Sequence, residues 1–347
     1  MELALYCPEY GFYEKEADTV GWGGDFYTSV SVGGLFGQLL AFQFAEWFGN
    51  LPIADCRLPI VEAGAHDGKL AWDILGWLRE HRPALFERVE YCIIEPSPRR
   101  RAWQTKTLES FGTKVRWLSD LSALARHDAA GGQIIFANEL LDAMPVHRLG
   151  WDATKRAWFE WGVGLSENRF VWQRLNQVAE NSLVERSWLA ALPEELLSVL
   201  PDGYVVEISP AAEQWWSEAA RSIASGWLLT FDYGFTTEEL LRPERREGTL
   251  RSYRQHRLVP DVLADPGKQD ITAHVNFSAI QSAGEAAGLT TESFEVQGRF
   301  LTKLAARLWH QTGGTDRLSE AGRRQFQSLT HPQNLGQSFR ALVQRRG

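Results

Sequence analysis

The fold is decided by one stretch, Pro59-Ile60-Val61-Glu62-Ala63-Gly64-Ala65-His66-Asp67-Gly68. Its apolar first half predicts a buried β-strand, and Gly64 and Gly68 predict a tight turn that leads directly into a helix. Glycine lets the backbone approach a ligand closely, and the N-terminus of a helix favours an anion. The stretch therefore predicts a ligand-binding strand, turn and helix at the centre of an α/β domain.

Further strands alternate with helical patterns after this stretch. Strands separated by helices of this length indicate a parallel sheet with right-handed crossovers. We therefore predict a Rossmann-like, doubly wound α/β core with seven strands, of which the last is antiparallel. The predicted strands are 59–62, 89–95, 114–118, 133–138, 226–234, 290–297 and 338–343.

Two segments do not follow the alternating pattern. Residues 146–175 place aromatic and polar residues in alternation, which is typical of an antiparallel β-meander. From residue 201 onward the sequence returns to the pattern of the core. We predict an N-terminal helical segment at 1–57, a core at 58–145 and 201–347, and an inserted β-rich and helical subdomain at 146–200.

Composition narrows the class of protein. The 347 residues are 44% hydrophobic and 23% charged, which is typical of a globular chain and excludes a disordered or fibrous one. A net charge of −8 disfavours a duplex nucleic-acid binder, and no stretch is apolar enough to cross a membrane. Three cysteines cannot form a disulfide framework, and the N-terminus lacks a signal-peptide pattern, so we expect a cytoplasmic protein. No residue spacing matches a metal-binding motif.

Candidate site residues follow from the predicted sheet, because ligands of open α/β sheets bind beyond the carboxyl ends of the strands. Glu95 ends the second strand, where a carboxylate can accept hydrogen bonds from both hydroxyls of a ribose. A dinucleotide fingerprint requires a glycine where this chain has His66, so the turn favours S-adenosylmethionine over NAD. The candidate positions at the strand ends are Glu62, Gly64, Gly68, Glu95, Asp120, Asn138, Glu139, Asp142 and Asp232.

Motifs along nearly the whole chain resemble one family. The sequence is similar to the MidA family, which comprises mitochondrial complex I assembly-factor arginine methyltransferases and their bacterial relatives. The motifs that carry the resemblance are Glu2-Leu3-Ala4-Leu5-Tyr6, Pro8-Glu9-Tyr10-Gly11-Phe12-Tyr13, Gly24-Asp25-Phe26-Tyr27-Thr28-Ser29, Leu35-Phe36-Gly37, Val61-Glu62-Ala63-Gly64, Glu95-Pro96-Ser97-Pro98, Ala137-Asn138-Glu139-Leu140-Leu141-Asp142-Ala143-Met144-Pro145, Asp232-Tyr233-Gly234 and Asp270-Ile271-Thr272-Ala273-His274-Val275-Asn276-Phe277.

The resemblance implies a class I methyltransferase fold, S-adenosylmethionine as methyl donor and, as in the mitochondrial members, a protein arginine as acceptor. It also implies a lid over the cofactor formed by Asp25, Phe26, Tyr27 and Thr28, with Pro96 beside Glu95. Alternatively, Thr28 or Ser29 only caps the following helix. The family's glycine turn is Gly-Pro-Gly-x-Gly, from which this chain departs at two positions. The family usually has a longer N-terminal segment, so we expect an entry helix to be missing.

Methyl transfer to a guanidinium requires carboxylates, which orient the group and draw its positive charge away from the attacking nitrogen. We predict that Asn138 and Glu139 lie nearest the methyl group, with Asp142 behind them. Alternatively, Glu139 and Asp142 only interact with a helix dipole. His274 either acts as a base or positions the acceptor, or it is structural. The predicted substrate-binding residues are Glu207, Asp232, Tyr233 and Asp270.

The function predicted from the sequence is S-adenosylmethionine-dependent methylation of a protein side chain. Two alternatives remain open. One is methylation of a small molecule, and the other is a cofactor-binding assembly factor without turnover. The acceptor, the methylated atom and the oligomeric state are not predicted.

Overall fold

The structure of the chain is a computed structural model that describes residues 1–15, 28–51, 56–124, 132–175, 181–255, 257–312 and 318–347. In these ranges the strands are β1 (Leu58–Ala63), β2 (Val89–Ile94), β3 (Val115–Leu118), β4 (Gln133–Asn138), β5 (His147–Asp152), β6 (Ala157–Ser166), β7 (Arg169–Arg174), β8 (Val205–Ile208), β9 (Gly226–Phe235), β10 (Arg251–Arg254), β11 (Arg257–Val259), β12 (Asp270–Thr272), β13 (Val275–Asn276), β14 (Thr290–Val296) and β15 (Phe339–Arg346).

The helices connect and cover these strands. They are α1 (Glu2–Tyr6), α2 (Leu35–Gly49), α3 (Lys69–His81), α4 (Pro83–Arg88), α5 (Pro98–Thr107), α6 (Asn181–Glu185), α7 (Glu194–Val199), α8 (Pro210–Ser222), α9 (Thr237–Leu240), α10 (Phe277–Ala286), α11 (Gln297–Thr312), α12 (Glu320–Thr330) and α13 (Leu335–Ser338). Short 3-10 helices cover Phe12–Glu14, Glu109–Lys114, Leu121–Leu124, Trp188–Ala191 and Pro243–Arg245.

The central sheet confirms the predicted core. Its strand order is β14-β15-β9-β4-β1-β2-β3, and the short β13 pairs with the end of β9. The pairs from β3 to β9 are parallel, whereas β15 runs antiparallel to both of its neighbours. Because the parallel strands run in the same direction, the carboxyl ends of β1, β2, β4 and β9 lie at one edge.

Helices bury both faces of this sheet. On one face, α2, α3 and α11 pack in a core where Phe231 of β9 makes edge-on ring contacts with Phe36 and Phe300, at centroid distances of 5.2 and 5.3 Å. On the other face, α8 and α10 pack through Trp216 and Phe277. Nearly continuous apolar strands are what a sheet covered on both faces requires.

The insertion forms a separate antiparallel sheet in the order β7-β6-β5-β8. The meander predicted at 146–175 is therefore confirmed. The prediction that the chain belongs to the core from residue 201 onward is wrong for β8, the first strand after that point. β8 pairs with β5 of the insertion, and its Val206 and Ile208 pack in the insertion's own core with Leu149 and Trp151. A short apolar run has the same pattern in either sheet, so sequence periodicity does not decide between them.

The N-terminal residues pack beside the carboxyl edge of the central sheet. Leu5 and Phe12 form a small apolar cluster with Ile271 of β12 and with Ala273, which follows that strand. Residues 1–15 thus lie next to the edge at which ligands of this fold bind.

Among the described residues, no helix combines the length and the apolar character needed to cross a membrane.

We predict that Phe231→Ala lowers the free energy of unfolding by about 3–5 kcal/mol, because it leaves a cavity between the sheet and two helices. The measurement is the midpoint of chemical denaturation. Phe170→Ala is the control, since that ring is 46% exposed, and its expected effect is within about 0.5 kcal/mol. Equal losses in the two variants would contradict the packing described.

Candidate active site

At the end of β4, Asn138 and Glu139 each keep one side-chain oxygen without a hydrogen-bond partner among the described residues. Glu139 has φ +53°, in the left-handed region that non-glycine residues seldom adopt. Its Oε1 accepts hydrogen bonds from the Ser29 amide at 3.0 Å and from Asn138 Nδ2 at 2.9 Å. Among the described residues, Glu139 Oε2 and Asn138 Oδ1 are buried without a hydrogen-bond partner. Two adjacent, unsatisfied acceptors mark a place for a hydrogen-bond donor from outside the protein.

Asp232 of β9 holds this turn in place. Its Oδ2 accepts hydrogen bonds from the amides of Leu140 and Leu141 at 3.2 and 2.8 Å, and its Oδ1 accepts one from the Tyr233 amide at 2.8 Å. Burial raises the pKa of Asp232 to about 7, although the backbone donors oppose this rise. A carboxylate anchored by several amides fixes the backbone that directly follows Glu139.

Two more carboxylates, Asp142 and Asp270, complete a buried group that we call the acidic cluster (Glu139, Asp142, Asp232 and Asp270). Burial raises the pKa of Glu139 to about 8. Burial, followed by the charges of Asp232 and Asp270, raises the pKa of Asp142 well above its ordinary value. Asp270 accepts a hydrogen bond from the Tyr13 hydroxyl at 2.6 Å. The cluster thus combines four carboxyl groups in an environment that disfavours several negative charges at once.

The alternative role for Glu139 and Asp142 is wrong. No helix begins at this turn, because the element that follows β4 is strand β5. There is therefore no helix dipole at their positions with which the two side chains could interact. The acidic cluster instead brings together four of the predicted site residues from β9, β12 and the turn after β4.

The glycine turn has the backbone shape that the sequence predicts. Gly64 and Gly68 have φ of +76° and +84°, and His66 between them has φ +47°. A Cβ on Gly64 would lie 3.1 Å from Leu140 Cδ1, so this position has little room for a side chain. Asp67 points outward and accepts a hydrogen bond from the Lys69 amide at 3.0 Å, at the start of α3. Its carboxylate therefore satisfies the first backbone amide of α3, whose N-cap is Gly68.

Glu95 lies at the end of β2 and is connected to the glycine turn. Its two oxygens accept one hydrogen bond each, from the Ser97 amide and from Gln104 Nε2, both at 3.0 Å. Gln104 Nε2 also lies 3.0 Å from the His66 carbonyl oxygen. Burial raises the pKa of Glu95. Each carboxylate oxygen keeps a second lone pair for a ligand hydroxyl, so the structure fits the predicted ribose-binding role.

The remaining predicted cofactor residues differ in their surroundings. The Glu62 carboxyl points into the protein, where it accepts a hydrogen bond from the Tyr91 hydroxyl at 2.6 Å. Asp120 is exposed and accepts a hydrogen bond from the Ser122 amide. Pro96 is exposed next to Glu95. Asp25, Phe26 and Tyr27 lie outside the described residues.

Thr28 and Ser29 do not cap the following helix. Thr28 Oγ1 accepts a hydrogen bond from the Ser31 amide at 3.0 Å, whereas α2 begins later and has Gly34 as its N-cap. The capping interpretation is therefore wrong for both residues. The Ser29 amide instead donates to Glu139, a contact that sequence spacing alone does not reveal because 110 residues separate the two.

His274 and Glu207 lie in a second pocket, between the insertion and the core. The His274 ring packs 4.8 Å from the Phe235 ring centroid, and burial lowers its pKa to about 4. Glu207 Oε2 accepts a hydrogen bond from the Thr249 amide at 2.7 Å, and its Oε1 lies 3.7 Å from Arg148 Nε. The members of the acidic cluster are absent from the described lining of this pocket. The structure thus places both residues apart from the acidic cluster, since Glu207 follows β8 into the insertion sheet and the His274 ring packs on Phe235.

Tyr233 does lie with the cluster. Burial raises the pKa of its hydroxyl far above the ordinary value, and the charges of Glu139 and Asp142 add to that rise. Within the described ranges, no group of three or more His, Cys, Asp or Glu side chains has an arrangement that could hold a metal ion.

A doubly wound sheet with one reversed strand, a glycine turn after β1 and a buried carboxylate after β2 defines the class I methyltransferases. Residues 39–295 match the model of the family described as "Putative S-adenosyl-L-methionine-dependent methyltransferase". The chain belongs to this family, and its cofactor is S-adenosylmethionine. The expected family, fold class and cofactor are thus confirmed.

Similar proteins support this assignment. A Burkholderia thailandensis protein described as a "likely methyl transferase", with S-adenosyl-homocysteine bound, is 31% identical, with a TM-score of 0.84 over 99% of this chain and 86% of that one. The Drosophila melanogaster homologue of protein arginine methyltransferase NDUFAF7, mitochondrial, is 26% identical over 99% of this chain and 79% of its own length. The Danio rerio protein of that name is 27% identical over 81% of this chain and 66% of its own length.

The raised pKa of Glu139 predicts an unusual pH dependence of stability. Its ordinary pKa is 4.5, and burial raises it to about 8 in the folded chain, so the folded state holds one more proton than the unfolded state between these values. This carboxyl therefore stabilises the fold below pH 4.5, and the contribution is lost as pH rises through 8, at up to about 1.4 kcal/mol per pH unit.

We accordingly expect Glu139→Gln to become more stable relative to the parent chain as pH rises from 5 to 8. Denaturant titrations at several pH values measure the difference. Glu62→Gln removes a second carboxyl whose pKa burial raises to about 8, and it should change in the same direction. A pH-independent difference for Glu139→Gln would show that this carboxyl is ionised in the folded chain throughout the range.

Proposed function

We propose that this protein transfers a methyl group from S-adenosylmethionine to the guanidinium of an arginine in an acceptor protein. The observation that carries the proposal is the pair of unpartnered buried acceptors, Glu139 Oε2 and Asn138 Oδ1, within the acidic cluster. An arginine side chain offers five N–H donors and a permanent positive charge. It would satisfy both acceptors and compensate the carboxylates together. The names of the curated relatives, which are protein arginine methyltransferases, support the same acceptor.

We propose that the cofactor lies along the carboxyl edge from β2 to β4. Glu95 would accept hydrogen bonds from the ribose hydroxyls, and the backbone of Gly64 and Gly68 would lie against the methionine part. Pro96 and Asp120 would border the adenosine, Thr28 would stay at the rim, and Glu62 would support the turn from behind. When bound, S-adenosylmethionine supplies an electrophilic methyl group on a sulfonium.

In the proposed mechanism, Glu139 orients the acceptor and receives its proton. A guanidinium that gains a methyl group must lose one N–H proton to remain a single cation. Glu139 Oε2 has no other hydrogen-bond partner among the described residues, so it would hold the acceptor N–H and take this proton. Asn138 Nδ2 and the Ser29 amide, which bind Oε1, would keep the carboxylate in one orientation. Asp142 and Asp270 would add negative charge that favours the guanidinium.

We also propose a cytoplasmic location and a division of the chain into an N-terminal segment, the methyltransferase core and the insertion. The cysteines Cys7, Cys56 and Cys92 are free thiols, as is typical of a reducing compartment. The curated relatives are named as mitochondrial proteins, so the location is to be established by fractionation of cells that express the chain.

We predict that Glu95→Ala weakens binding of S-adenosyl-homocysteine at least about 10-fold, since it removes hydrogen bonds to a charged acceptor. Isothermal titration calorimetry measures this affinity, with NAD as a ligand that should not bind. Glu90→Ala is the matched control, because this residue lies on the same strand but forms surface ion pairs with Arg57 and Arg116. An unchanged affinity of Glu95→Ala for S-adenosyl-homocysteine would contradict the proposed ribose-binding role of Glu95.

We predict that Glu139→Gln lowers methyl transfer about 100-fold or more while S-adenosyl-homocysteine still binds with the parent affinity, because the general base is lost and the cofactor contacts remain. The assay follows labelled methyl groups from S-adenosylmethionine into proteins of a lysate of the source organism, with methylarginine identified by amino-acid analysis. Glu218→Gln, on an exposed face of α8, is the control.

The outcomes separate the alternative functions. Label recovered in another amino acid, or in small molecules, would contradict an arginine acceptor. Tight cofactor binding with no transfer by the parent chain would favour a cofactor-binding assembly factor. Unchanged transfer by Glu139→Gln would refute the role of Glu139.

A further inference from the structure

Residues 13–15 form a short segment, which we call the strap, that is attached to the cofactor side of the site. Arg100 donates hydrogen bonds to the Tyr13 carbonyl oxygen from Nε at 3.0 Å and from Nη2 at 2.6 Å. Ser97 Oγ donates to Glu14 Oε2 at 2.8 Å, while the amide of the same Ser97 donates to Glu95. Ser97 therefore links the strap to Glu95, the carboxylate proposed to bind the ribose.

The other end of the strap reaches the acidic cluster. The Tyr13 hydroxyl donates to Asp270 Oδ1 at 2.6 Å, and Lys15 Nζ donates to the Gly267 carbonyl oxygen near the start of β12. Burial and the charge of Asp270 raise the pKa of Tyr13 well above its ordinary value, so the phenol keeps its proton and acts as a donor. The strap thus connects the surroundings of Glu95, at the end of β2, with Asp270 of β12.

The group that donates to Asp270 affects the net charge of the acidic cluster, and here that group is the Tyr13 hydroxyl. A phenol fixes the orientation of a carboxylate without supplying a positive charge. The Arg100 guanidinium binds the Tyr13 carbonyl oxygen and lies 5.2 Å from the Tyr13 ring centroid. The Tyr13 hydroxyl therefore orients Asp270 without adding a positive charge to the acidic cluster.

We propose that Tyr13 is a positioning residue that orients Asp270 for the guanidinium of the acceptor, and that the strap couples this site to cofactor binding at Glu95. The inference rests on the proposed function. Contacts that Glu95 makes with a ribose stabilise Ser97, and Ser97 in turn holds Glu14 and the strap. Cofactor binding thereby strengthens acceptor binding, and the coupling is reciprocal.

The test uses the full chain with S-adenosyl-homocysteine and with N-acetyl-arginine methylamide as a guanidinium probe. Calorimetry measures the affinity for the probe with and without saturating S-adenosyl-homocysteine. For the parent chain, we expect the probe to bind more tightly when S-adenosyl-homocysteine is present. For Tyr13→Phe, we expect affinity for the probe to fall about 10-fold, while the affinity for S-adenosyl-homocysteine alone stays unchanged.

Tyr6→Phe is the matched control. It removes a hydroxyl from the same corner of the molecule, where Tyr6 donates to the Ala143 carbonyl oxygen at 2.9 Å and its ring lies 5.5 Å from that of Tyr13. Affinity for the probe should be unchanged in this variant. An equal loss in both variants, or no loss in Tyr13→Phe, would overturn the positioning role.

Glu14→Ala provides a second variant that keeps the Tyr13 hydroxyl. It should abolish the gain in affinity for the probe that S-adenosyl-homocysteine produces, because the contact between Ser97 and the strap is lost. A full gain in Glu14→Ala would overturn the coupling through the strap. A parent chain that binds S-adenosyl-homocysteine but not the probe would contradict the arginine acceptor and, with it, the role of Tyr13. If the parent chain and Tyr13→Phe bind the probe with the same affinity, the role of Tyr13 would be overturned, but the arginine acceptor would not.

Discussion

The hydrogen bonds from backbone amides to Asp232 are the interaction on which the site depends. They tie the turn after β4 to the neighbouring strand β9 and hold Glu139 at φ +53°, a conformation that costs about 1–3 kcal/mol unless its surroundings enforce it. Without these bonds, Glu139 and Asn138 would lose the geometry that leaves one oxygen of each without a partner. The central sheet supplies the rigidity, because β4 and β9 are adjacent and buried on both faces.

The acidic cluster shows how such a site remains folded without a bound cation. Four carboxyl groups in a buried environment repel one another and lose hydration, and the protein responds by retaining protons, as the raised pKa values of Glu139 and Asp142 indicate. An incoming guanidinium would lower these pKa values, because a positive charge favours the ionised carboxylates. The same burial that raises these pKa values would then strengthen the interaction of the carboxylates with a cation.

The strands of the core could be predicted from the sequence because each strand is a separate apolar run, whereas their order is seen only in the structure. The strand ends also identified Glu95, Glu139 and Asp232. Side-chain direction was not accessible in the same way. His274 is near Asp270 in the chain, yet its ring packs on Phe235 in another pocket, and Glu207 follows its strand into the insertion sheet. Tyr13 lay within a recognised motif, but its contact with Asp270 spans 257 residues and appears only in three dimensions.

The most direct test of the account is a crystal structure of the chain with S-adenosyl-homocysteine and an arginine-containing peptide. The account predicts a guanidinium nitrogen within hydrogen-bond distance of Glu139 Oε2, on the side of the cofactor sulfur. A guanidinium bound elsewhere, with Glu139 Oε2 occupied by the ammonium group of the cofactor, would contradict the assignment of this carboxylate to the acceptor.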